Sequence, residues 1–343
     1  MKKENLLTAY NYARNSDFVY VEAVSHNQYE ELRKKNNLKI INKNDYLVVY
    51  KNLNFNLSEN DLIFCHSAYI SELFFNLKKI NNIKKLNLLT CQSDHIINEK
   101  LYRKKPDFIK KWYGTNVTIK KKDLFSLPLG IAADFSEKNI HYEDLFPQIN
   151  EKNRIKKIYC NFNVNTNFNE RSKLLEEISK NDLFYIEENE GNIKNYIQKL
   201  KKFDFVLCPP GNGPDTHRLW ETLYSNSIPI IKNLITHDFL PENSVFKVEL
   251  FKSLNIIKLN QFLKNYRKLD DKYLDVNFWI HNIKDLGNDS SGFNEKIIFK
   301  ENEVLFYFFK FKQLLIRKMD RFYKKIRYTL RRLNKFLKLK FIN

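Results

Sequence analysis

The sequence predicts an α/β protein with two parallel-stranded sheets in succession and a basic amphipathic helix at its C-terminal end. Short apolar runs alternate with amphipathic stretches over residues 17–233, which is typical of parallel strands joined by helices. The length of 343 residues suits two domains, and a hydrophobic content of 43% is enough for two cores. Residues 310–343 carry thirteen Lys and Arg against one acidic residue. That segment therefore differs in kind from the sheets before it.

The N-terminal half contains several apolar runs with the length and composition of strands. Helical segments are expected between them at 30–35 and 69–80. We expect these elements to form one α/β domain at about residues 1–150. The expected strands are 17–23, 45–50, 61–66, 86–91, 117–119 and 124–129.

The second half repeats the alternation and predicts a second domain at 151–290. The run GNDSSG at 287–292 reads as a linker, and residues 291–343 as a tail. After residue 233 the pattern is weaker, with a strand expected at 244–248 and a helix at 254–266. The other expected strands are 155–160, 183–186, 203–208 and 228–231, and the other helices are 170–180, 192–201 and 217–224.

The stretch 203–233 carries the clearest chemical signal. An apolar strand is stopped by two prolines, and a GNG turn then leads into a short helix and the next buried strand. In parallel sheets ligands bind beyond the carboxyl ends of the strands. Glycines admit close approach of a ligand, the helix N-terminus attracts anions, and Arg218 supplies a donor fork suited to phosphate. Glu221 shares the helix face and can accept hydrogen bonds from ribose hydroxyls. The pattern therefore favours a binding site for a nucleoside diphosphate over an ordinary βαβ unit with a Gly-rich turn.

The segment CPPGNGPDTHRLWETLYSNSIPII, residues 208–231, resembles the donor-site segment of exostosin-like glycosyltransferases. That family has the GT-B fold, with two facing Rossmann-like domains, and the pattern P-x-G-x-G-x-D-x-x-R-x-W-E-A-L-x-x-G-x-I-P-I. Here Thr222 replaces the alanine and Asn226 the glycine before Ile-Pro; asparagine tolerates positive φ. A run at 104–131, ending in PLGI, resembles a second segment of that family near the cleft. The resemblance covers about residues 60–235.

The resemblance implies transfer of a sugar from a nucleotide-diphosphate sugar to a hydroxyl of a glycan or lipid-linked acceptor, in glycan or surface polysaccharide synthesis. No Asp-x-Asp pair occurs, so we expect neither a metal nor a cofactor, and the helix dipole with Arg and His donors would support the leaving diphosphate. Asp215 or Thr216 can cap the helix, and we expect Asp215 to cap it rather than to touch the ligand. The expected donor-binding residues are Pro210, Gly211, Asn212, Gly213, Thr216, His217, Arg218, Glu221, Asn163, Asn165, Thr166 and Arg171. For Asn163, Asn165 and Thr166, an ordinary Asn-rich loop is an equal alternative.

The resemblance also favours inversion, which requires a general base in the N-terminal domain. Asp94 and His95 follow one expected strand, and His66 ends the strand before it. These three residues are the catalytic candidates. A lone Asp or His at a strand end has a structural role in many proteins.

The tail has three interpretations. Apolar residues at 315, 319, 322, 326, 330, 333 and 337 share one helix face, and the tail supplies +12 of the formal charge of +19. It can be a solvated basic extension, a helix on an anionic membrane surface, or a nucleic-acid-binding segment. Because the rest of the chain carries only +7, no specific nucleic-acid partner is expected.

The cysteines and the first residues of the sequence indicate the cellular compartment. Each of the four cysteines ends an apolar run, and none forms a C-x-x-C pair; buried thiols are therefore expected rather than zinc ligands or disulfides. The first residues lack the apolar core of a signal peptide. We expect a cytoplasmic protein that can lie peripherally on a membrane. The alternative to an enzyme is a non-catalytic nucleotide-binding or membrane-tethering protein with the same fold.

Overall fold

The computed structural model of the chain describes residues 1–132, 139–145, 154–187, 193–285 and 296–340. It divides into two compact units, Met1–Ile298 and Phe299–Asn343. The first unit contains both large sheets, and the second consists mainly of one long helix. The predicted domain boundaries at 150/151 and 290/291, and the GNDSSG linker at 287–292, lie outside the described residues.

In the described part of the chain, seven strands form the first sheet in the order β2-β3-β1-β5-β6-β7-β8. Strands β1, β5, β6, β7 and β8 run parallel, whereas β2 and β3 form an antiparallel hairpin at one edge. The bounds of these seven strands are β1 Phe18–Val24, β2 Leu38–Lys43, β3 Val48–Asn52, β5 Leu62–His66, β6 Leu86–Cys91, β7 Ile109–Gly114 and β8 Leu124–Ser126. Strand β4, Asn54–Leu57, lies outside this sheet.

The edge hairpin differs from the wholly parallel sheet that the sequence predicts. Its turn is closed by the Asn44 side chain, whose Oδ1 accepts from the backbone N–H groups of Tyr46 and Leu47 at 2.9 Å each. Asparagine makes such local turns with its own side chain. A polar turn of this kind in an Asn-rich sequence does not stand out from the loops around it.

The second sheet is wholly parallel, with the order β10-β9-β11-β12-β13 within the described ranges. The strand, loop, helix and strand predicted at 203–233 are all present. A short strand, β14, crosses the division between the two units. The bounds are β9 Ile155–Cys160, β10 Phe184–Ile186, β11 Phe203–Leu207, β12 Ile228–Lys232, β13 Phe246–Val248 and β14 Ile297–Lys300.

The helices flank and connect these strands. The predicted C-terminal helix is present as α11. The helices are α1 Ala9–Arg14, α2 His26–Arg33, α3 Ile70–Leu77, α4 Glu99–Tyr102, α5 Tyr142–Leu145, α6 Phe168–Ile178, α7 Ile193–Lys202, α8 His217–Tyr224, α9 Ile256–Asn265, α10 Val276–Asp285 and α11 Glu303–Lys340. The predicted fold class, a GT-B-like α/β protein with two parallel-stranded sheets and a C-terminal helix, is confirmed.

The strand predicted at 117–119 is wrong. Val117 makes only an isolated bridge to Ile97. Asn116, with a φ of 60°, turns the chain just after β7, so residues 117–119 do not continue that strand. The positive φ that asparagine tolerates at position 226 is also observed, at 56°.

One hydrophobic core cluster continues through both sheets. It contains Phe64 and Leu89 from the first sheet, Val206 and Ile231 from the second, and Trp220 from α8. Residues of α1 and α10 belong to the same cluster. The cluster also contains Leu127 and Leu129, which follow β8, so the loops after β8 and β11 are anchored on common packing. The four cysteines are buried and free, as predicted.

Candidate functional site

Arg171 of α6 donates hydrogen bonds to the 208–216 loop, which connects β11 to α8. Its Nε donates to the carbonyl of Pro210 at 2.9 Å and its Nη2 to the carbonyl of Pro209 at 2.8 Å. Nη1 donates to the Asn163 carbonyl at 2.8 Å and to the Thr166 hydroxyl at 2.5 Å. All three nitrogens of the Arg171 guanidinium therefore donate hydrogen bonds to groups of the protein. Arg171 ties the 208–216 loop to the loop that follows β9.

The predicted polar residues after β9 form a local turn. The Oδ1 of Asn163 accepts from the Asn165 N–H at 2.8 Å, and the Thr166 hydroxyl donates to the Asn163 carbonyl at 2.9 Å. The side chains of Asn163 and Asn165 are exposed, and Thr166 is half-buried. The turn is therefore available at the carboxyl end of β9, next to the loop that Arg171 holds.

The two glycines of the 208–216 loop are packed against protein side chains. A Cβ at Gly213 would lie 2.9 Å from both amide atoms of Asn116, and a Cβ at Gly211 would lie 3.3 Å from Nη2 of Arg171. Gly213 is buried, whereas Asn212 between the glycines is exposed. Neither glycine adopts a positive φ, so the requirement at these positions is for space.

Asn116 links the 208–216 loop to the first sheet. Its Oδ1 accepts from the Asp215 N–H at 3.0 Å, and its Nδ2 donates to the Ser93 carbonyl at 3.2 Å. Ser93 lies in the 92–98 loop after β6, which carries Asp94. One buried amide therefore touches both the loop with the predicted phosphate-binding glycines and the loop with a predicted base.

Asp215 is a second link between the sheets. Its carboxylate, 2% exposed, accepts from the Leu129 N–H at 3.0 Å, the Thr216 N–H at 2.8 Å and the Trp220 Nε1–H at 3.1 Å. Nε2 of the buried His237 lies 3.5 Å away. The helix-capping role predicted for Asp215 is wrong, because Thr216 occupies the N-cap position of α8 and makes no side-chain capping bond.

His217 contacts the turn that follows the first sheet. Its Nδ1 lies 2.7 Å from the carbonyl oxygen of Gly130. Since a carbonyl only accepts, Nδ1 carries the proton, and Nε2 of the neutral ring is then an acceptor. His217 can donate to an anion from Nε2 only when the ring is doubly protonated.

Arg218 differs from Arg171 in having a nitrogen without a partner. Its Nη1 is buried and makes no hydrogen bond within the described ranges, and its Cζ lies 5.2 Å from the centre of the Tyr196 ring. Burial opposes its charge, but Tyr196 and Glu221 nearby raise the pKa of Arg218 above its ordinary value. Burial, and then the charge of Arg218, lower the pKa of Arg171 to about 10. No described carboxylate forms an ion pair with either guanidinium.

Glu221 is engaged by a residue that the sequence did not single out. The Tyr196 hydroxyl donates to Oε2 of Glu221 at 2.7 Å. Burial raises the pKa of Tyr196 well above its ordinary value, so this hydroxyl remains a donor. Tyr196 lies on α7, and its position beside Arg218 and Glu221 follows from the packing of α7 against the sheet. Its spacing in the sequence carries no signal of this.

The three base candidates lie at the carboxyl ends of β5 and β6. His66 pairs in register with Cys91, and its Nδ1 accepts from the Ala68 N–H at 3.2 Å. His95 is exposed, with Nδ1 3.1 Å from the Ser93 hydroxyl. Asp94 is exposed as well, so the side chains of both Asp94 and His95 can meet solvent or a ligand.

The described residues contain no group of three or more His, Cys, Asp or Glu side chains that could hold a metal ion. The polar groups around the 208–216 loop include the guanidinium groups of Arg171 and Arg218, the Asn116 amide and backbone N–H groups. Such groups bind anions and hydroxyls.

Two comparisons with known proteins concern this region. Human Ribitol-5-phosphate xylosyltransferase 1 is 24% identical over 216 aligned residues, which cover 57% of this chain and 47% of the relative. The chain thus spans about half the length of this curated relative. Residues 144–321, which include α6, the 208–216 loop and α8, match the family described as RXYLT1 C-terminal domain. This match covers slightly more than half of the chain, and the chain therefore belongs to the RXYLT1 C-terminal domain family.

Proposed function

We propose that the chain is a glycosyltransferase that moves a sugar from a nucleoside-diphosphate sugar to an acceptor hydroxyl. The observation that carries the proposal is Arg218, whose buried Nη1 has no described hydrogen-bond partner. A buried donor without an acceptor destabilises the folded protein, and a bound ligand can supply that acceptor. The diphosphate of the donor has the charge and acceptor oxygens for this place, beside the N-terminus of α8.

The proposed chemistry is a single displacement. The acceptor oxygen bonds to the anomeric carbon, the bond from that carbon to the diphosphate oxygen breaks, and the acceptor proton passes to a base. Arg218 and the first N–H groups of α8 stabilise the charge on the departing diphosphate. Asp94 is the proposed base, with His66 and His95 as the other candidates, and Glu221 is the proposed partner of the ribose hydroxyls. No metal is assigned a step.

The family and the human relative narrow the substrates to test. The relative's name describes transfer of xylose with ribitol 5-phosphate, so we propose a pentosyl or hexosyl donor and a polyol-phosphate or glycan acceptor. The exostosin-like relationship inferred from residues 209–229 remains a prediction, as does a role in surface polysaccharide synthesis. A panel of UDP-xylose, UDP-glucose, UDP-N-acetylglucosamine and GDP-mannose should show hydrolysis or transfer of one donor. Binding of UDP or GDP without turnover of any donor would favour the non-catalytic alternative.

Arg218 provides the direct test. Arg218→Ala should weaken binding of UDP or GDP by about 1.5–3 kcal/mol, the range for a hydrogen bond to a charged group. Titration calorimetry measures this. Arg103→Ala is the matched control, because Arg103 is an exposed arginine paired with Glu99 on α4. Equal affinity of wild type and Arg218→Ala would refute the assignment.

Asp94 provides the test of the base. Asp94→Asn should reduce turnover by at least 100-fold while UDP or GDP binding is retained, because the general base contributes to the chemical step. Asp107→Asn is the matched control, at an exposed aspartate that precedes β7. Retained turnover in Asp94→Asn would move the role to one of the histidines.

We also propose that α11 lies on an anionic membrane surface. Its apolar residues Leu315, Met319 and Phe322 are 45%, 55% and 63% exposed, and its many Lys and Arg residues complement anionic headgroups. Among the described residues, no helix combines the length and apolarity needed to cross a bilayer.

A further inference from the structure

Gly213 can be a glycine for two reasons, and they have different consequences. A glycine in a phosphate-binding loop admits close approach of a ligand to the backbone. At Gly213, however, the space of the missing Cβ is taken by Asn116, whose Oδ1 and Nδ2 both lie 2.9 Å from where that Cβ would be. Real Cβ atoms do not approach other heavy atoms so closely. The neighbour that demands a glycine is therefore a side chain from the other sheet.

Asn116 is fixed too firmly to move aside. It is 1% exposed and adopts a φ of 60°. Its carbonyl accepts from the Ile97 N–H at 3.0 Å, its Oδ1 from the Asp215 N–H at 3.0 Å, and its Nδ2 donates to the Ser93 carbonyl at 3.2 Å. A Cβ at position 213 would have to displace a side-chain amide that bonds two backbone groups, on a residue whose own carbonyl bonds a third.

We infer that Asn116 is a positioning residue that sets the 208–216 loop at a fixed place relative to the 92–98 loop, and that Gly213 is a glycine to admit it. The inference rests on the proposed function for its catalytic meaning, because the first loop would hold the donor diphosphate and the second carries Asp94. One amide then determines how far the proposed base lies from the bond that breaks. The other glycine of the loop, Gly211, packs against Arg171 of α6 and has no part in this coupling.

A double-mutant cycle tests the inference. Gly213→Ala places a methyl group against the Asn116 amide, and Asn116→Gly removes that amide while keeping a residue that accepts positive φ. Gly213→Ala alone should weaken UDP or GDP binding at least tenfold. In the Asn116→Gly background the same change should alter affinity by less than threefold. Gly211→Ala is the matched control, and its effect should be the same in both backgrounds.

Thermal unfolding of the same proteins without ligand gives an independent measurement. Gly213→Ala should lower Tm in the wild-type background and leave it nearly unchanged in the Asn116→Gly background. If this coupling appears but the wild type binds no nucleotide, the proposed function fails and the inference about residues 116 and 213 stands. If Gly213→Ala abolishes nucleotide binding equally in both backgrounds, the glycine serves the ligand and the inference is overturned.

The positioning role has its own readout in the active enzyme. Asn116→Gly should lower kcat at least tenfold and change the nucleotide Kd by no more than threefold, because Arg171 still holds the 208–216 loop. A purely structural asparagine would lower Tm without this separation of kcat from Kd. An unchanged kcat would contradict the positioning role.

Discussion

Arg171 and Arg218 carry the same guanidinium group, but the protein surrounds them differently. Arg171 donates hydrogen bonds to the carbonyls of Pro209, Pro210 and Asn163. Arg218 lies beside an aromatic ring, and its Nη1 makes no hydrogen bond among the described residues. A guanidinium already surrounded by carbonyls shapes a loop. A guanidinium with an unpaired, buried nitrogen is suited to a ligand.

From the sequence, both arginines are expected to donate hydrogen bonds to phosphate, since each is an arginine in the first turn of a helix that follows a strand and a loop. What separates them is the set of carbonyls that α6 faces, which depends on tertiary packing. Tyr196 escaped prediction for the same reason, because its hydroxyl and ring meet Glu221 and Arg218 only after α7 packs on the sheet.

Two substitutions at Tyr196 separate the contributions of its ring and hydroxyl. Tyr196→Phe removes the hydrogen bond to Glu221 and keeps the ring beside Arg218. Tyr196→Leu removes both and should weaken UDP or GDP binding by a further 0.5–2 kcal/mol or so, the range for a cation–π contact. Calorimetric titration of both variants measures the difference. Equal affinities would show that the ring does not hold Arg218 in place.

Glu22 should make stability depend on pH. Burial raises the pKa of Glu22 from 4.5 to about 7, although Arg14 and the hydrogen bond from Tyr50 act in the opposite direction. A carboxyl with a raised native pKa binds more protons in the folded state, so its contribution to stability falls as pH rises from about 4.5 to 7.

Glu22→Gln should remove that part of the pH dependence, worth about 1–3 kcal/mol. Urea unfolding at pH 5 and pH 8 measures it. Glu30→Gln, at an exposed site on α2, is the control and should keep the wild-type difference. An unaltered difference in Glu22→Gln would assign the pH dependence to other groups.

The element at the centre of the candidate site is the 208–216 loop with α8. Its strand, turn, helix and following strand are predictable from the sequence, because apolar runs, prolines and glycines mark each boundary. The attachment of this loop to the first sheet through Asp215 cannot be predicted from the sequence, because a short polar residue before a helix indicates a cap in most sequences. Here the helix begins at an unbonded Thr216 side chain, and the carboxylate reaches across to Leu129 instead.

Removal of the Asp215 carboxylate should therefore cost more than loss of a cap. Asp215→Ala leaves the Leu129 N–H and the Trp220 Nε1–H buried without acceptors, at about 1–3 kcal/mol each. The change should appear as a lower urea midpoint. Asp204→Ala is the control, since Asp204 on β11 is half-buried and lies 3.7 Å from Arg154; its effect should be under about 1 kcal/mol. Comparable losses in the two variants would contradict the linking role.

At the scale of the whole molecule, the alternation of strands and helices and the distinct C-terminal segment are predictable, because they depend on local periodicity and composition. The shared core is not, because no local pattern indicates that α10 contributes Val276 and Ile280 to the same cluster as Leu7 of the N-terminal segment. Long-range packing of this kind appears only in three dimensions.

The proposed membrane role of α11 can be tested with flotation. The full chain should float with vesicles that contain 30% phosphatidylserine, remain unbound with phosphatidylcholine alone, and detach in high salt, because the attraction is largely electrostatic. A chain ending at Asn302 should not float. The variant Met319→Glu/Phe322→Glu retains every Lys and Arg and should bind much less. Equal flotation of the full and shortened chains, or preferential binding to generic RNA, would contradict the proposal.

The continuous core also limits how a protein of this kind can acquire new ligands or substrates. In a protein made of independent modules, one half can be exchanged for a homologous half with another preference. In this protein, Leu219 and Trp220 of the second half pack in one cluster with Leu7, Tyr12 and Leu129 of the first half. A second half joined to the first half of another protein would lack that matching surface. We therefore expect diversification by changes in the loops at the strand ends. Chimeras of whole halves should fail to fold.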